Sequence, residues 1–247
     1  MLDKYFSNYL NPILIIFAKL FIKFGFKANH ITILGLIFSF FAFLLVIDHH
    51  YIFGLFIFLV SRSMDGIDGI IASNTSKTDF GGFLDIVCDL ISYSIIPLAF
   101  ILANSSNAIF GSILLASFFG TSSTFLAIAI FESKRKFSLN SDKSFYHVGG
   151  IVGSAQTIIF LSLMFVLPKH FNEIALIFSI LCMAGTLERI YHGYKILNWL
   201  KSLSMKTKYN KENYWKDKLS PEEFEVTRKG GTEKPFTGKY LNNNLSI

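Results

Sequence analysis

Long apolar runs dominate this chain and leave it few choices of fold. Crossing the hydrocarbon of a bilayer takes about 20 apolar residues in a helix, and six segments approach this length. They are residues 31–47, 52–72, 80–102, 109–131, 148–167 and 174–197. The runs are continuous and do not alternate with period two, which favours helices over a transmembrane barrel. The sequence therefore predicts an all-α integral membrane protein with six transmembrane helices.

Composition agrees with this fold class. The chain is 52% hydrophobic and only 16% charged, whereas about a quarter of the residues in a soluble domain are charged. A net charge of +6 could indicate nucleic-acid binding, but the basic residues lie between the apolar runs and in the tail. Such a distribution is typical of orientation in a bilayer, so we predict no nucleic-acid partner. Cys88 and Cys182 lie in apolar runs and offer no disulfide framework.

The basic residues also predict the orientation. They precede the first run, lie between the second and third runs, and lie between the fourth and fifth: Lys4, Lys19, Lys23, Lys27, Lys77, Lys134, Arg135, Lys136 and Lys143. The loops on the opposite side contain Lys169 alone. The positive-inside rule then predicts that both termini and the loop 73–79 are cytoplasmic. Residues 134–136 are expected to meet anionic headgroups, with acceptor binding as the alternative.

An apolar segment ahead of the first run is interrupted by two charges. "YFSNYLNPILIIFAKLFIKFGF", residues 5–26, contains Lys19 and Lys23. This pattern predicts an N-terminal amphipathic helix that lies in the membrane interface. A seventh span is the alternative.

Carboxylates cluster within the segment "SRSMDGIDGIIASNTSKTDFGGFLDIVCD", residues 61–89. Asp65 and Asp68 are three residues apart and Asp85 and Asp89 are four apart, so each pair lies on one face of its helix. The two helices are joined by a short loop, and we expect them to be antiparallel neighbours whose carboxylates face each other. Poorly solvated carboxylates need positive compensation, and hard oxygen donors favour Mg²⁺ or Mn²⁺ over zinc. The segment therefore predicts a two-metal site suited to phosphoryl chemistry, with Asp79 as a solvated loop charge outside it.

Glycines accompany these carboxylates. Gly66, Gly69, Gly81 and Gly82 have no side chain, so a phosphate or nucleotide could approach their backbone closely. Close helix–helix packing in lipid is the alternative interpretation.

The spacing of these residues resembles the signature of the CDP-alcohol phosphatidyltransferase family. The match runs as D-x-x-D-G-x-x-A from Asp65 to Ala72 and as G-x-x-x-D-x-x-x-D from Gly81 to Asp89, within a resemblance that covers about residues 1–200. The upstream "ANHITILG" is similar to the N-x-x-T segment with which the family contacts the nucleotide. Two features depart from the pattern: Ser73 stands where the family usually has an arginine that helps to hold the pyrophosphate, and the spacer before Gly81 is one residue short.

The resemblance implies an activity in phospholipid biosynthesis and a set of site residues. Family members transfer a substituted phosphate from a CDP-alcohol, here CDP-diacylglycerol or a related donor, to an acceptor alcohol and release CMP. One Mg²⁺ or Mn²⁺ would be held by Asp65, Asp68 and Asp85 and a second by Asp65, Asp85 and Asp89, with Asp89 as the general base. The implied nucleotide-binding residues are Asn29, Thr32, Gly69, Ala72, Ser73, Thr78 and Gly81.

Further expectations concern the acceptor and the cell. Arg189 could hold an acceptor phosphate, with an ion pair to Glu188 or a lipid headgroup as alternatives. We expect a homodimer among membrane lipids, in a bacterial inner membrane, with the active site facing the cytoplasm. A transporter or cation pathway is one rival function, since carboxylates within a membrane also mark ion routes. A catalytically inactive relative that acts as a scaffold is the other.

The chain becomes polar and basic after residue 200. "LSPEEF" predicts a helix start with Ser220 as cap and Glu223 completing a capping box. Residues 218–244 resemble the start of methionine sulfoxide reductase B domains, but this segment contains no cysteine nucleophile and is not expected to carry that activity. We interpret residues 1–200 as the membrane domain and residues 201–247 as a poorly ordered fusion remnant, with a regulatory tail as the alternative.

Overall fold

The structure is a computed structural model that describes residues 2–139 and 152–232, with side chains for residues 12–131, 152–195 and 213–232. Within these residues every regular element is a helix, which confirms the all-α class. The helices are α1 (Leu2–Lys23), α2 (Ala28–Ile47), α3 (Tyr51–Asn74), α4 (Asp79–Ala103), α5 (Ala108–Leu139), α6 (Ser154–Val166), α7 (Phe171–Lys218) and α8 (Pro221–Lys229). The chain divides into two compact units, Met1–Tyr191 and His192–Ile247. The domain boundary at residue 200 stays a prediction.

Four helical segments of the described part are long and apolar enough to cross a membrane. They are Ala28–Ile47, Asp79–Ala103, Ser105–Phe131 and Pro168–Lys195. The predicted second span corresponds to α3, which carries three charged residues within its length. The predicted fifth span begins outside the described residues, and α6 has only 13 residues. The chain is therefore a multi-pass membrane protein, and the count of six spans stays a prediction.

Helix α2 holds the helices that carry the aspartates. It packs extensively against both α3 and α4, whereas α3 and α4 make few or no direct backbone contacts. A Cβ on Gly35 would lie only 3.3 Å from the Cβ of Met64, so α2 and α3 approach each other closely at this point. The two helices are nevertheless neighbours, as expected, because polar side chains of α3 and α4 meet across the space between them. The space between them is available to long polar side chains.

Helix α1 packs against α3 through a small apolar cluster. Ala18 is fully buried with Ile31 and Ile67, and Leu14 packs against the same cluster. A Cβ on Gly66 would lie 2.8 Å from Cδ1 of Leu14. Gly66 therefore allows the close approach of α1, which supports the packing interpretation, and the approach of a ligand to its backbone stays a prediction. The interfacial location of α1 stays a prediction.

A larger aromatic core joins α3, α4, α6 and α7. The ring of Phe100 lies 5.5 Å from that of Phe165 and 5.0 Å from that of Phe171, and Phe58 stacks on Phe165 at 5.6 Å. Offset and edge-on ring pairs of this kind stabilise a core beyond their buried area. Pro97 is buried inside α4 beside this core.

Candidate active site

Three aspartates from α3 and α4 converge on one point. Asp65, Asp85 and Asp89 each offer a carboxylate oxygen, and these oxygens lie within 4.8 Å of one another. All three side chains are half-buried. The structure thus brings together the residues that the sequence assigned to one of the two metals.

Asp68 lies outside that group of oxygens. It is only 4% exposed, and its Oδ2 accepts a 2.5 Å hydrogen bond from Oγ1 of Thr32. The same hydroxyl lies 3.1 Å from the carbonyl oxygen of Ala28. Thr32 therefore orients Asp68, and its expected contact with the nucleotide stays a prediction. The assignment of Asp68 to a metal stays a prediction.

A buried arginine that the sequence reasoning missed lies beside the carboxylates. Nη1 of Arg62 donates to Oδ1 of Asp89 at 2.6 Å, and Arg62 is only 8% exposed. It precedes Asp65 by three residues and thus shares its helix face. A basic residue within an apolar run beside four aspartates was the available signal, because an isolated charge is unfavourable within a membrane.

Helix α4 begins next to the start of α2, where a second group of predicted residues meets. Thr78 caps α4 by accepting a 3.0 Å hydrogen bond from the backbone N–H of Gly81. A Cβ on Gly81 would lie 3.0 Å from Oγ1 of Thr78 and 3.1 Å from Oδ1 of Asn29. Asn29, Thr78 and Gly81 therefore share one small region. Asp79, expected in a loop, is the first residue of α4, where a negative charge is favourable to the helix dipole.

The remaining predicted nucleotide residues lie along the end of α3. A Cβ on Gly69 would meet nothing within 4 Å, so this residue borders open space. Ala72 is half-buried and Ser73 is exposed. The hydroxyl of Ser73 donates to the carbonyl of Ile70 in its own helix at 2.8 Å. Ser73 therefore does not reproduce the reach of the family's arginine.

Arg189 lies in α7 and bonds to the backbone of other elements. Its Nη1 lies 3.4 Å from the carbonyl oxygen of Thr121 and its Nη2 lies 3.3 Å from that of Val152. These contacts link α7 to α5 and to the chain ahead of α6. The acceptor role of Arg189 stays a prediction, and the side chains of residues 134–136 lie outside those that the structure describes.

Comparisons with known proteins agree with the geometry. The family model described as CDP-alcohol phosphatidyltransferase matches residues 26–187. "Inner membrane protein YnjF" of Escherichia coli (strain K12) is 34% identical over 204 residues, which cover 81% of this chain and 99% of that protein. No solved structure matches.

The tail has relatives of its own. "Methionine-R-sulfoxide reductase B2, mitochondrial" of Danio rerio is 44% identical over 57 residues, and "Peptide methionine sulfoxide reductase MsrB" of Synechococcus sp. is 61% identical over 31 residues. These matches cover 23% and 13% of this chain, and 32% and 23% of the relatives. The resemblance of the tail to the reductases is confirmed over these short segments.

Proposed function

The chain belongs to the CDP-alcohol phosphatidyltransferase family, and on that premise we propose that it transfers a phosphatidyl group from CDP-diacylglycerol or a related CDP-alcohol to an acceptor alcohol and releases CMP. The observation that carries this proposal is the convergence of Asp65, Asp85 and Asp89 between α3 and α4. Their positions are those in which the family signature has its carboxylates.

The residues of the cluster fit divalent cations. All the donors are carboxylate oxygens, which suit Mg²⁺ and Mn²⁺. Arg62 contributes one positive charge beside three half-buried carboxylates, so the cluster keeps an excess of negative charge. Asp65, Asp85 and Asp89 would hold one ion, and Asp68 would join Asp65 and Asp85 for a second. Such ions would supply positive charge to the pyrophosphate and to the CMP leaving group.

The residues of the chain then have distinct roles. Asn29, Thr78 and Gly81 border the cytidine diphosphate at the start of α4, and Gly69 leaves room for it on α3. Asp89 takes the proton from the acceptor hydroxyl as the oxygen–phosphorus bond forms and the bond to CMP breaks. Arg62 occupies only Oδ1 of Asp89, so Oδ2 is not engaged by the guanidinium.

The location of the reaction is part of the proposal. The distribution of basic residues supports an active site that faces the cytoplasm. The similarity to an inner membrane protein supports a bacterial inner membrane. A homodimer remains our expectation for the assembly.

One observation favours a second candidate function. Ser73 replaces the arginine expected at the pyrophosphate, and its hydroxyl bonds to its own helix. A relative without transferase activity, retained as a membrane scaffold, would also have this feature.

A transfer assay separates these functions. The protein, purified into lipid nanodiscs, is supplied with labelled CDP-diacylglycerol and a panel of acceptors that includes glycerol phosphate, serine and inositol phosphate. We expect CMP release and a labelled lipid product with one acceptor, and loss of both in Asp85→Asn. A folded protein that releases no CMP with any acceptor would favour the function of a membrane scaffold. Cation flux into proteoliposomes that contain the protein would favour a cation pathway.

A further inference from the structure

Arg62 makes polar contacts within its own helix, α3, and with two other helices. From α3, its Nη1 donates to Asp89 on α4 at 2.6 Å, and its Nη2 lies 3.0 Å from Oγ of Ser61 and 3.5 Å from Oγ of Ser39 on α2. The Ser39 and Ser61 hydroxyls are 2.6 Å apart, and Ser61 donates to the carbonyl of Gly35 at 2.7 Å. The guanidinium is thus fixed on one side by hydroxyls and engages the carboxylate on the other.

Aromatic rings cover the guanidinium. Its Cζ lies 4.9 Å from the centroid of the Tyr93 ring and 6.0 Å from that of Phe58. Arginine favours such ring faces, and this contact excludes solvent from the guanidinium. The side chain of Arg62 is 5% exposed and that of Asp89 is 27% exposed. The arginine is therefore the enclosed partner, and the aspartate is the one that ligands can reach.

We propose that Arg62 is a positioning residue for Asp89: it grips one carboxylate oxygen and so directs the other toward Asp65, Asp85 and the substrates. This inference rests on the proposed transfer reaction, in which Asp89 takes the acceptor's proton. The hydrogen bond to Oδ1 fixes the carboxylate and leaves its second oxygen unbound by the guanidinium. Because α3 and α4 make few or no direct backbone contacts, no backbone packing between them performs this task.

A positioning role has an electrostatic consequence that distinguishes it from simple support of the fold. Arg62 places a positive charge beside the group of carboxylates that would bind a divalent cation. Its removal should strengthen cation binding by about three- to tenfold, since the like charge that opposes the cation is gone while the Asp89 carboxylate, although less well directed, stays beside Asp65 and Asp85. The same removal should slow turnover by about 100-fold, since a misdirected catalytic group loses the benefit of orientation. A variant that has lost its fold would instead show both weaker cation binding and slower turnover.

The test uses the full-length protein in nanodiscs and the variants Arg62→Met, Arg62→Lys and Ser61→Ala. Ser63→Ala is the matched control, because the exposed Ser63 hydroxyl donates only to the carbonyl of Leu59 in its own helix. The binding of Mn²⁺ is measured by electron paramagnetic resonance without any substrate. The kcat and the KM for CDP-diacylglycerol are measured separately, and thermal unfolding reports whether each variant is folded.

We expect Arg62→Met to lose about 100-fold in kcat with a KM within about threefold of wild type, while it binds Mn²⁺ more tightly. Arg62→Lys should fall between, because a lysine has no planar fork to hold Asp89 and Ser61 together. Ser61→Ala should lose about three- to tenfold in kcat and Ser63→Ala should match wild type. If Arg62→Met does not fold, Arg62→Lys and Ser61→Ala decide. A wild-type kcat in either of these two variants would overturn the proposal.

The two proposals fail differently. Absence of CMP release by the wild-type protein would count against the proposed function. A parallel loss of Mn²⁺ affinity and turnover in folded Arg62→Met, with active wild type, would overturn the role of Arg62 alone.

Discussion

The hydroxyl of Thr32 on α2 donates a 2.5 Å hydrogen bond to the buried carboxylate of Asp68 on α3. This bond joins the helix that begins next to Thr78 and Gly81 to the helix that carries half of the aspartates. It makes the N-terminal end of α2 and the carboxylate face of α3 a single structural unit.

Replacement of Thr32 by valine should break this unit with little change of shape. Asp68 would lose its partner in a buried position, and we expect a destabilisation of about 1–2 kcal/mol and at least a tenfold loss of turnover. Thr124→Val is the control, because Thr124 bonds only to backbone carbonyls of its own helix. Thermal unfolding and CMP release measure both effects. Equal behaviour of the two variants would contradict the role given to Thr32.

Removal of divalent cations should abolish turnover. The cluster of Asp65, Asp85 and Asp89 carries more negative charge than Arg62 offsets, and the pyrophosphate adds more. We expect CMP release to vanish with EDTA and to return with Mg²⁺ or Mn²⁺. Full activity after thorough chelation would be incompatible with a metal-dependent reaction.

Asparagine substitutions should separate metal binding from proton transfer. Asp89→Asn removes the proton acceptor, and kcat should fall by about 10²–10⁴-fold with a smaller effect on donor affinity. Asp68→Asn should weaken donor binding as well as turnover. Affinity for CDP-diacylglycerol and single-turnover rates are the measurements. Equal loss of affinity in both variants would mean that Asp89 is a ligand alone.

Two glycines of α3 should respond in opposite ways to alanine. Gly66→Ala places its Cβ 2.8 Å from Cδ1 of Leu14, so the Leu14 side chain must shift and the unfolding temperature should fall. Gly69→Ala meets no protein atom within 4 Å and should raise helix stability by up to about 1 kcal/mol. If the nucleotide occupies that space, Gly69→Ala should raise the KM for the donor at least tenfold. An unchanged KM would place the nucleotide elsewhere.

Cysteine labelling should establish the orientation. Ser76 and His50 are exposed and lie in loops at opposite ends of α3. In intact cells, a membrane-impermeant maleimide should label His50→Cys and spare Ser76→Cys until the membrane is opened. Cys88 and Cys182 are buried and should give little background. The reverse pattern would invert the proposed topology.

The spacing of residues along the sequence was enough to predict helices such as α2 and α4 and the helix faces on which the aspartates lie. The apolar run 31–47 became α2 (Ala28–Ile47), and the run 80–102 became α4 (Asp79–Ala103). Spacings of three and four residues place carboxylates on one helix face whatever the neighbours are. This rule places Asp85 and Asp89 on one face of α4, whereas their convergence with Asp65 of α3 depends on how the two helices pack.

The contacts between helices could not be predicted from the spacing of residues within each helix. The packing of α2 against both α3 and α4 depends on close approaches such as Gly35 to Met64, which no periodicity encodes. For the same reason the hydrogen bond from Thr32 to Asp68 was not expected, and the contact of Thr32 with the nucleotide stays a prediction. The family signature also gave no weight to Arg62, because this position lies outside it.

Pro97 interrupts the backbone hydrogen bonds of α4. Proline has no N–H, so the carbonyl of Tyr93 lacks the donor that an unbroken helix would supply four residues later. The missing bond comes one turn after Asp89, at the residue whose ring covers Arg62. Any bend in α4 should occur near Pro97, since one backbone hydrogen bond of the helix is absent there. The half of α4 that follows Pro97 packs through Phe100 against Phe165 and Phe171, so this aromatic contact holds it where the backbone hydrogen bond is missing.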